Sequence, residues 1–260
     1  MAYEFITLER EGPVTLLTLN RPEVMNALHS PAHFEMAGAL DAFRDDPEQW
    51  VMILTGAGDR AFSAGNDLKW QATGGEMKSP PSGFAGLTSR FDLAKPLIAA
   101  VNGVAMGGGF EIALACDLII AAETAVFALP EPRVGLAALA GGLHRLPRAI
   151  GLKRAMGMIL TGRRVTAREG HELGFVNEVV PAADLMTAAR RWAAMIVELS
   201  PMSVRASKAA VLRGLDESSL ADAIAGQSRY AEVAALFRSQ DFVEGPRAFA
   251  EKRPPRWTGR

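Results

Sequence analysis

Glu111 stands in a segment whose residue types could do chemistry. It follows three consecutive glycines, Gly107–Gly109, and precedes an apolar run. Glycine permits unusual backbone angles and a close approach of ligand to main chain, while unpaired N–H groups at a helix start attract negative charge. A carboxylate among apolar neighbours also needs a reason to be there. The segment therefore predicts an oxyanion-binding turn beside an acid or base.

A structural interpretation of the same residues stays open. The glycines could only let a helix pack on a sheet, with Glu111 facing solvent as a first-turn acid favoured by the helix dipole. A second carboxylate, Glu131, lies between Pro130 and Pro132, which fix the local chain direction. Taken alone, Glu131 is typical of an exposed loop acid. Two carboxylates together favour the catalytic interpretation.

A glycine-rich turn after residue 54 offers a different function. Gly56, Gly58 and Ala61 have the spacing of a dinucleotide-binding fingerprint. That fingerprint should open a long helix and then reach a second strand, whereas Gly65 interrupts the segment at once. A nicotinamide dehydrogenase is therefore a minor alternative, and a non-catalytic protein of the same fold is another.

The composition excludes several classes of protein. With 28 basic and 29 acidic residues, the chain has no broad positive field for nucleic acid. A single cysteine, Cys116, excludes an intrachain disulfide, and the four histidines have no zinc-type spacing, which predicts a metal-free site. The sequence contains no membrane-length apolar run and no apolar leader at the N-terminus. We expect a cytoplasmic protein.

Alternating strands and helices must position these residues, which predicts an α/β fold. The segment 72–89, rich in glycine, proline and serine, predicts a mobile surface loop. Helical periodicity runs from Ala182 almost to the end, with expected breaks at Pro201, 214–216 and Gly245-Pro246. Apolar patterns predict strands over 5–8, 14–19, 51–54, 97–101 and 118–121, and helices over 32–43 and 107–115.

These segments together resemble the enoyl-CoA hydratase/isomerase, or crotonase, superfamily over nearly the whole chain. The resemblance implies a spiral of repeated β-β-α units over 1–190 and a helical region over 191–260 that assembles homotrimers or homohexamers. It implies no separate cofactor, because coenzyme A is part of the acyl-CoA substrate. The matching motifs are Leu19-Asn20-Arg21-Pro22, Met25-Asn26-Ala27-Leu28, Ala61–Leu68, Lys95-Pro96, Asn102-Gly103, Gly107–Glu111 and Phe249–Arg253.

The resemblance also implies catalytic roles. The backbone N–H groups of Asn66 and Gly108 would form an oxyanion hole for the thioester enolate. Glu111 would activate the water that attacks Cβ, and Glu131 would supply the proton to Cα, in a reversible syn hydration of a 2-enoyl-CoA. Many isomerases of the superfamily keep a carboxylate at the second position only, so Glu111 favours hydration. An enoyl-CoA isomerase or another enolate-based lyase is the alternative.

Further positions correspond to the family's coenzyme A site. The Ala64 backbone resembles the adenine-binding turn, and Lys252 resembles a lysine that reaches a CoA phosphate from its own or a neighbouring subunit. The remaining positions assigned to this site are Met25, Ala27, Asp67 and Leu68.

Some residues depart from the family pattern. Glu23 replaces a residue that is often basic. Leu139 stands where a glycine usually lines the acyl site, so we expect Leu139 either to fill space needed by the substrate or to displace the water. Gly109-Phe110-Glu111 with Phe127–Glu131 resembles carnitinyl-CoA dehydratases, while Asn66-Asp67-Leu68 occurs in isomerase-like members. The acyl group stays open.

Overall fold

The chain builds two β-sheets in the computed structural model, which describes residues 3–260. In this part of the chain a six-stranded sheet has the order β1-β2-β3-β5-β7-β10, and a four-stranded sheet has the order β4-β6-β8-β9. The strands are β1 (Ile6–Glu11), β2 (Val14–Leu19), β3 (Val51–Gly56), β4 (Ala61–Ser63), β5 (Leu97–Val101), β6 (Val104–Met106), β7 (Leu118–Ala122), β8 (Val126–Ala128), β9 (Val165–Thr166) and β10 (Glu178–Val180).

Helices cover the sheets and form the C-terminal part of the chain. Several begin at a polar residue whose side chain accepts a hydrogen bond from a backbone N–H of the first turn, among them Thr166, Ser200 and Ser239. The helices are α1 (Ser30–Asp45), α2 (Leu68–Ala72), α3 (Gly108–Ala115), α4 (Gly142–Ile150), α5 (Leu152–Thr161), α6 (Ala167–Leu173), α7 (Leu185–Val197), α8 (Pro201–Gly214), α9 (Leu220–Gly226), α10 (Ala231–Leu236) and α11 (Gln240–Ala250).

Successive strand pairs divide between the two sheets. In the pairs β3–β4, β5–β6 and β7–β8, the first strand joins the larger sheet and the second joins the smaller one. Strands β3 and β5 are buried along their whole length, as expected for parallel strands covered on both faces. Because β4, β6 and β8 are parallel, their C-terminal ends meet at one edge. The predicted α/β fold of repeated β-β-α units is confirmed.

The Gly56–Ala61 segment is a turn between strands. The chain passes from the end of β3 to the start of β4 in four residues, without a helix. A dinucleotide-binding fingerprint requires a helix at this point, so the nicotinamide alternative is wrong.

The segment 72–89 differs from the predicted mobile surface loop. Its first part is mainly exposed, but Ala85, Leu87 and Thr88 are buried. Gly86 packs so closely on α1 that an added Cβ atom would lie 2.5 Å from Cα of Ala37. The glycines that suggested flexibility instead permit close contact, so the prediction is wrong for this second part.

The C-terminal helices also differ from the prediction in two places. Helix α7 packs Leu185, Ala189 and Ala193 on the larger sheet, so the predicted boundary at residue 190 falls inside a helix. The predicted breaks at Pro201 and 214–216 are confirmed as the two ends of α8.

The predicted break at Gly245-Pro246 is wrong because α11 continues through Pro246. The proline removes one backbone donor, but buried residues on both sides hold the helix: Ala248 is buried, and Asp241 accepts a hydrogen bond from Ser200. No helix within residues 3–260 is long and apolar enough to span a membrane.

Candidate active site

Two glycine-containing turns lie against each other at the common edge of β4 and β6. Gly65, with φ of +88°, lies so close to the second turn that a Cβ atom on it would be 2.8 Å from N of Gly108 and 2.6 Å from O of Met106. A Cβ atom on Gly109 would overlap the backbone of Ser63. Only glycine permits this approach, which brings residue 66 beside the first turn of α3.

The predicted oxyanion donors lie on these two turns. Leu28 forms backbone hydrogen bonds with the residues on both sides of Asn66. Its N–H donates to O of Gly65 (2.7 Å), and its carbonyl accepts from the N–H of Asp67 (2.9 Å). No backbone or side-chain group of residues 3–260 accepts from the N–H of Asn66 itself. Gly108 is the first residue of α3, so its N–H has no intrahelical acceptor. Two unpaired donors therefore lie on adjacent segments.

Glu111 is a buried carboxyl on α3. Its side chain is held by the N-terminus of α4, where the N–H of Gly142 donates to Oε1 over 2.9 Å. Burial raises the pKa of Glu111 to about 7; the charge of nearby Glu131 adds to this rise, and the Gly142 N–H opposes it. Glu111 can therefore exchange a proton near neutral pH.

Glu131 reaches the same turn from the end of β8. The N–H of Gly107 donates to O of Ala128 (3.0 Å), which ties the glycine turn to β8. Oε1 of Glu131 lies 2.8 Å from the position that a Cβ atom on Gly107 would occupy. Oε2 is buried and has no hydrogen-bond partner in the described chain, and burial raises the pKa of this carboxyl. Glu131 thus reaches the glycine turn from the end of β8, while Glu111 lies on the helix that follows this turn, near enough for the Glu131 charge to raise its pKa.

Known proteins are similar to this chain in sequence and in overall fold. The family model described as enoyl-CoA hydratase/isomerase matches residues 9–260. The chain belongs to the enoyl-CoA hydratase/isomerase family.

Members of this family resemble the chain over its full length. A carnitinyl-CoA dehydratase of Salmonella arizonae is 45% identical over 262 residues, covering 98% of this chain and 99% of the relative. An enoyl-CoA hydratase structure from Mycobacterium tuberculosis has a TM-score of 0.92 at 39% identity and covers 98% of this chain and 99% of that one. A carnitinyl-CoA hydratase structure from Mycobacterium avium has a TM-score of 0.78 at 42% identity and covers both chains fully.

Several positions assigned to coenzyme A by family resemblance lie together. The N–H of Ala64 donates to O of Met25 over 2.9 Å. Met25 and Asn26 both have positive φ, and the Asn26 amide fixes this turn by donating to the carbonyls of Ala57 and Ala61. Ala27 is buried behind the turn.

The carboxylate of Asp67 is committed to the protein. Its Oδ2 lies 3.0 Å from the guanidinium of Arg21, and its Oδ1 accepts from the N–H of Trp70 at the start of α2. Although burial opposes ionisation of Asp67, these two contacts keep its pKa below the ordinary value. Asp67 therefore shapes the turn around Asn66, and the next residue, Leu68, is exposed.

Two other predicted positions are exposed in the single chain. Lys252 lies in the turn after α11, and its ammonium group has no ion-pair partner among residues 3–260. Its contact with a CoA phosphate stays a prediction. Leu139 is 79% exposed, and its effect on the acyl site stays a prediction. The backbone N–H of Gly142 contacts the Glu111 carboxylate.

Sequence reasoning missed one side chain at this site. The ring of Phe84 lies over Gly108: a Cβ atom on Gly108 would be 2.6 Å from Cε1 and Cζ of the ring. The one available signal was an aromatic residue between two glycines, Gly83 and Gly86. The glycine, proline and serine content of the segment predicts a surface loop, which hides this signal.

Proposed function

We propose that the chain catalyses the reversible addition of water to a 2-enoyl-CoA, giving a 3-hydroxyacyl-CoA. The observation that supports this most strongly is a pair of carboxyls with raised pKa: Glu131 reaches the glycine turn at Gly107, and Glu111, on the helix that follows this turn, lies near enough for the Glu131 charge to raise its pKa. Hydration needs both a base and an acid, and groups with perturbed pKa values are suited to these roles.

The thioester carbonyl would accept hydrogen bonds from the N–H groups of Asn66 and Gly108. Negative charge moves onto this oxygen as water adds to Cβ and an enolate forms, so fixed donors stabilise the transition state more than the substrate. Removal of one such donor typically costs about 3 kcal/mol of barrier stabilisation. Backbone donors need no reorganisation, because the glycine turns already fix them.

In this proposal Glu111 takes a proton from the attacking water and Glu131 gives a proton to Cα. Delivery of both hydrogen and hydroxyl from the same side gives syn addition. Dehydration reverses the two roles, so the resting pair holds one proton in either direction. These residues complete the reaction without a metal ion or a cofactor, and we propose that none takes part.

The acyl group is proposed to be a short enoyl chain or a specialised 3-hydroxyacyl group similar to carnitinyl. The support for the second choice is that relatives similar over the full chain are named carnitinyl-CoA dehydratase or hydratase. A role in fatty acid or related acyl-CoA metabolism in the cytoplasm would fit either substrate.

We also propose a trimer or a hexamer as the working assembly. The C-terminal helices leave large apolar side chains exposed, which is typical of an interface. Lys252 would then contact a CoA phosphate within its own subunit or across the interface. The exposed apolar residues include Val211, Leu215, Leu220, Ile224, Phe237 and Phe249.

The test is incubation with crotonyl-CoA and a panel of longer, branched, aromatic and trimethylammonium-bearing enoyl-CoAs in H₂¹⁸O, followed by mass spectrometry. Addition of one labelled water is the expected result, and the panel ranks the acyl groups. A rearranged product without label would overturn hydration in favour of double-bond isomerisation. No reaction with any member would refute the enoyl-CoA hydratase proposal.

A further inference from the structure

Phe84 forms one wall beside an oxyanion donor. Its ring lies over the Cα atom of Gly108 and is only half-buried, so part of the ring remains open to a ligand. A thioester oxygen that accepts from the Gly108 N–H must bring its Cα and Cβ atoms into the same region. The acyl group would therefore pass close to this ring.

The backbone that carries Phe84 has an unusual conformation. Ala85 has φ of +56° and is fully buried, although left-handed angles are unfavourable for a residue with a Cβ atom. Such a conformation persists only where the surrounding structure holds it. The backbone N–H of Ala85 is buried and also needs an acceptor.

His33 supplies that acceptor. Its Nδ1 accepts from the N–H of Ala85 over 3.0 Å, and its ring centroid lies 4.3 Å from that of Phe84. His33 is 1% exposed, its Nε2 has no partner among the described residues, and burial lowers its pKa to about 4. The imidazole is thus neutral at physiological pH, with the proton on Nε2 and Nδ1 free to accept.

We propose that Phe84 is a specificity-determining residue of the acyl site and that His33 is the positioning residue that holds it there. This inference rests on the proposed function and deepens it. A rigid aromatic wall beside the thioester carbonyl favours flat, unbranched enoyl groups. A methyl branch at Cα would meet the ring, since both lie beside the Gly108 donor.

The test compares crotonyl-CoA with tiglyl-CoA, its 2-methyl derivative. Phe84→Ala should raise the ratio of kcat/KM for tiglyl-CoA over crotonyl-CoA by about tenfold or more, because one methyl group in a pocket changes discrimination by about 10- to 200-fold. Phe91→Ala is the matched control: Phe91 lies in the same stretch of chain and is 85% exposed, so the ratio should not change.

His33 is tested by two substitutions. His33→Leu removes the acceptor and should move the same ratio toward tiglyl-CoA, whereas His33→Asn places Oδ1 where Nδ1 was and should restore the wild-type ratio. A purely structural role would lower both kcat values together and leave the ratio unchanged. His33→Gln serves as a second acceptor-altering variant if His33→Leu does not fold.

The outcomes separate the inference from the proposed function. If the wild type is active and Phe84→Ala leaves the ratio of kcat/KM for tiglyl-CoA over crotonyl-CoA unchanged, the inference is overturned and the proposed function is not. The same holds if the ratio is unchanged in His33→Leu, or in His33→Gln where His33→Leu does not fold. A wild type that hydrates no member of the enoyl-CoA panel refutes the proposed function. In that case calorimetry decides the inference by measuring the Kd of tiglyl-CoA and of crotonyl-CoA in the wild type and the variants. Relatively tighter binding of tiglyl-CoA in Phe84→Ala supports the inference, and an unchanged Kd ratio overturns it.

Discussion

The backbone N–H of Gly142 donates a 2.9 Å hydrogen bond to Oε1 of Glu111, which joins the first residue of one helix to a buried carboxyl of another. This bond orients Glu111 and stabilises its charged form. Burial acts in the opposite direction and dominates, so the pKa rises to about 7. Glu111 is therefore held in a fixed orientation, while burial makes its ionised form less favourable than that of an exposed glutamate.

Glu111→Gln and Glu131→Gln should each lower turnover at least a hundredfold, because each removes one proton-transfer role worth about 10² to 10⁴ in rate. Binding of coenzyme A should change little, since neither carboxyl belongs to the Ala64 turn. Steady-state kinetics and calorimetry would measure the two effects. Glu172→Gln is the control, as Glu172 is exposed on α6. Unchanged turnover in either variant would remove that residue from the mechanism.

The pH dependence should be bell-shaped, because the active form of the Glu111–Glu131 pair holds one proton. Activity should fall as pH rises through about 7, where Glu111 loses the shared proton, and should fall again at low pH when both acids are protonated. The profile of kcat/KM should be the same for hydration and dehydration, since water addition releases no proton. A kcat/KM that keeps rising as pH increases through about 7 would contradict a shared proton.

Glu111→Gln should stabilise the protein at high pH. The pKa of Glu111 is raised on folding from about 4.5 to about 7, so the folded state binds the proton more tightly, and the free energy of unfolding falls as pH rises through this window. Glutamine does not ionise, so the variant avoids this fall in the free energy of unfolding, which is about 3 kcal/mol at most above pH 7. Below pH 4.5 the difference should vanish. Urea unfolding at pH 4 and pH 8 would measure it, and equal gains at both values would contradict the ionisation account.

Gly65→Ala should damage catalysis far more than Asn66→Ala. The added methyl group would lie 2.8 Å from N of Gly108 at φ of +88°, so the two donor-bearing turns must separate. Loss of one oxyanion donor lowers kcat by about 10² to 10³. Asn66→Ala keeps the backbone N–H and loses mainly the amide contact with Gln71.

Gly157→Ala is the control for the Gly65 variant, because a Cβ atom on Gly157 in α5 would meet no atom within 4 Å. This substitution should leave kcat unchanged. A larger loss of kcat in Asn66→Ala than in Gly65→Ala would indicate that the amide side chain, and not the main-chain geometry, carries the effect.

Asp67→Ala should destabilise the fold, because the partly buried guanidinium of Arg21 loses its carboxylate partner and keeps only its hydrogen bond to O of Ala27. We expect a loss of about 1.5 to 3 kcal/mol, the range for a hydrogen bond to a charged group. The pKa of Asp67 is lowered in the folded state, so its stabilising contribution is present above the unfolded pKa and is lost as pH falls through the folded pKa. Thermal unfolding at pH 7 would measure the loss; Asp59→Ala, at an exposed turn position, is the control.

If Asp67 instead contacts coenzyme A directly, its substitution should weaken CoA binding and leave the melting temperature unchanged. That outcome would contradict the structural role and support the assignment by family resemblance.

Local sequence patterns were sufficient for the elements that carry the chemistry. Continuous apolar runs predicted the buried strands that became β3, β5 and β7, and three glycines before Glu111 predicted a helix start with a close ligand approach. These features depend on neighbouring residues, so spacing and side-chain type reveal them. Glycine and proline gave wrong predictions where tertiary packing determined the local structure. Gly86 packs closely against α1 and does not mark a mobile loop, and α11 continues through Pro246.

The sequence by itself determined which groups are available: two carboxyls, a glycine turn and the residues of a known family. Only the tertiary structure decided which of them meet, since parallel pairing in the smaller sheet brings Gly65 to Gly108 and Glu131 to Gly107. The same holds for the contacts of Asp67 with Arg21 and of His33 with the backbone beside Phe84. Contacts between residues far apart in the chain depend on sheet register and helix packing, and no local spacing encodes them.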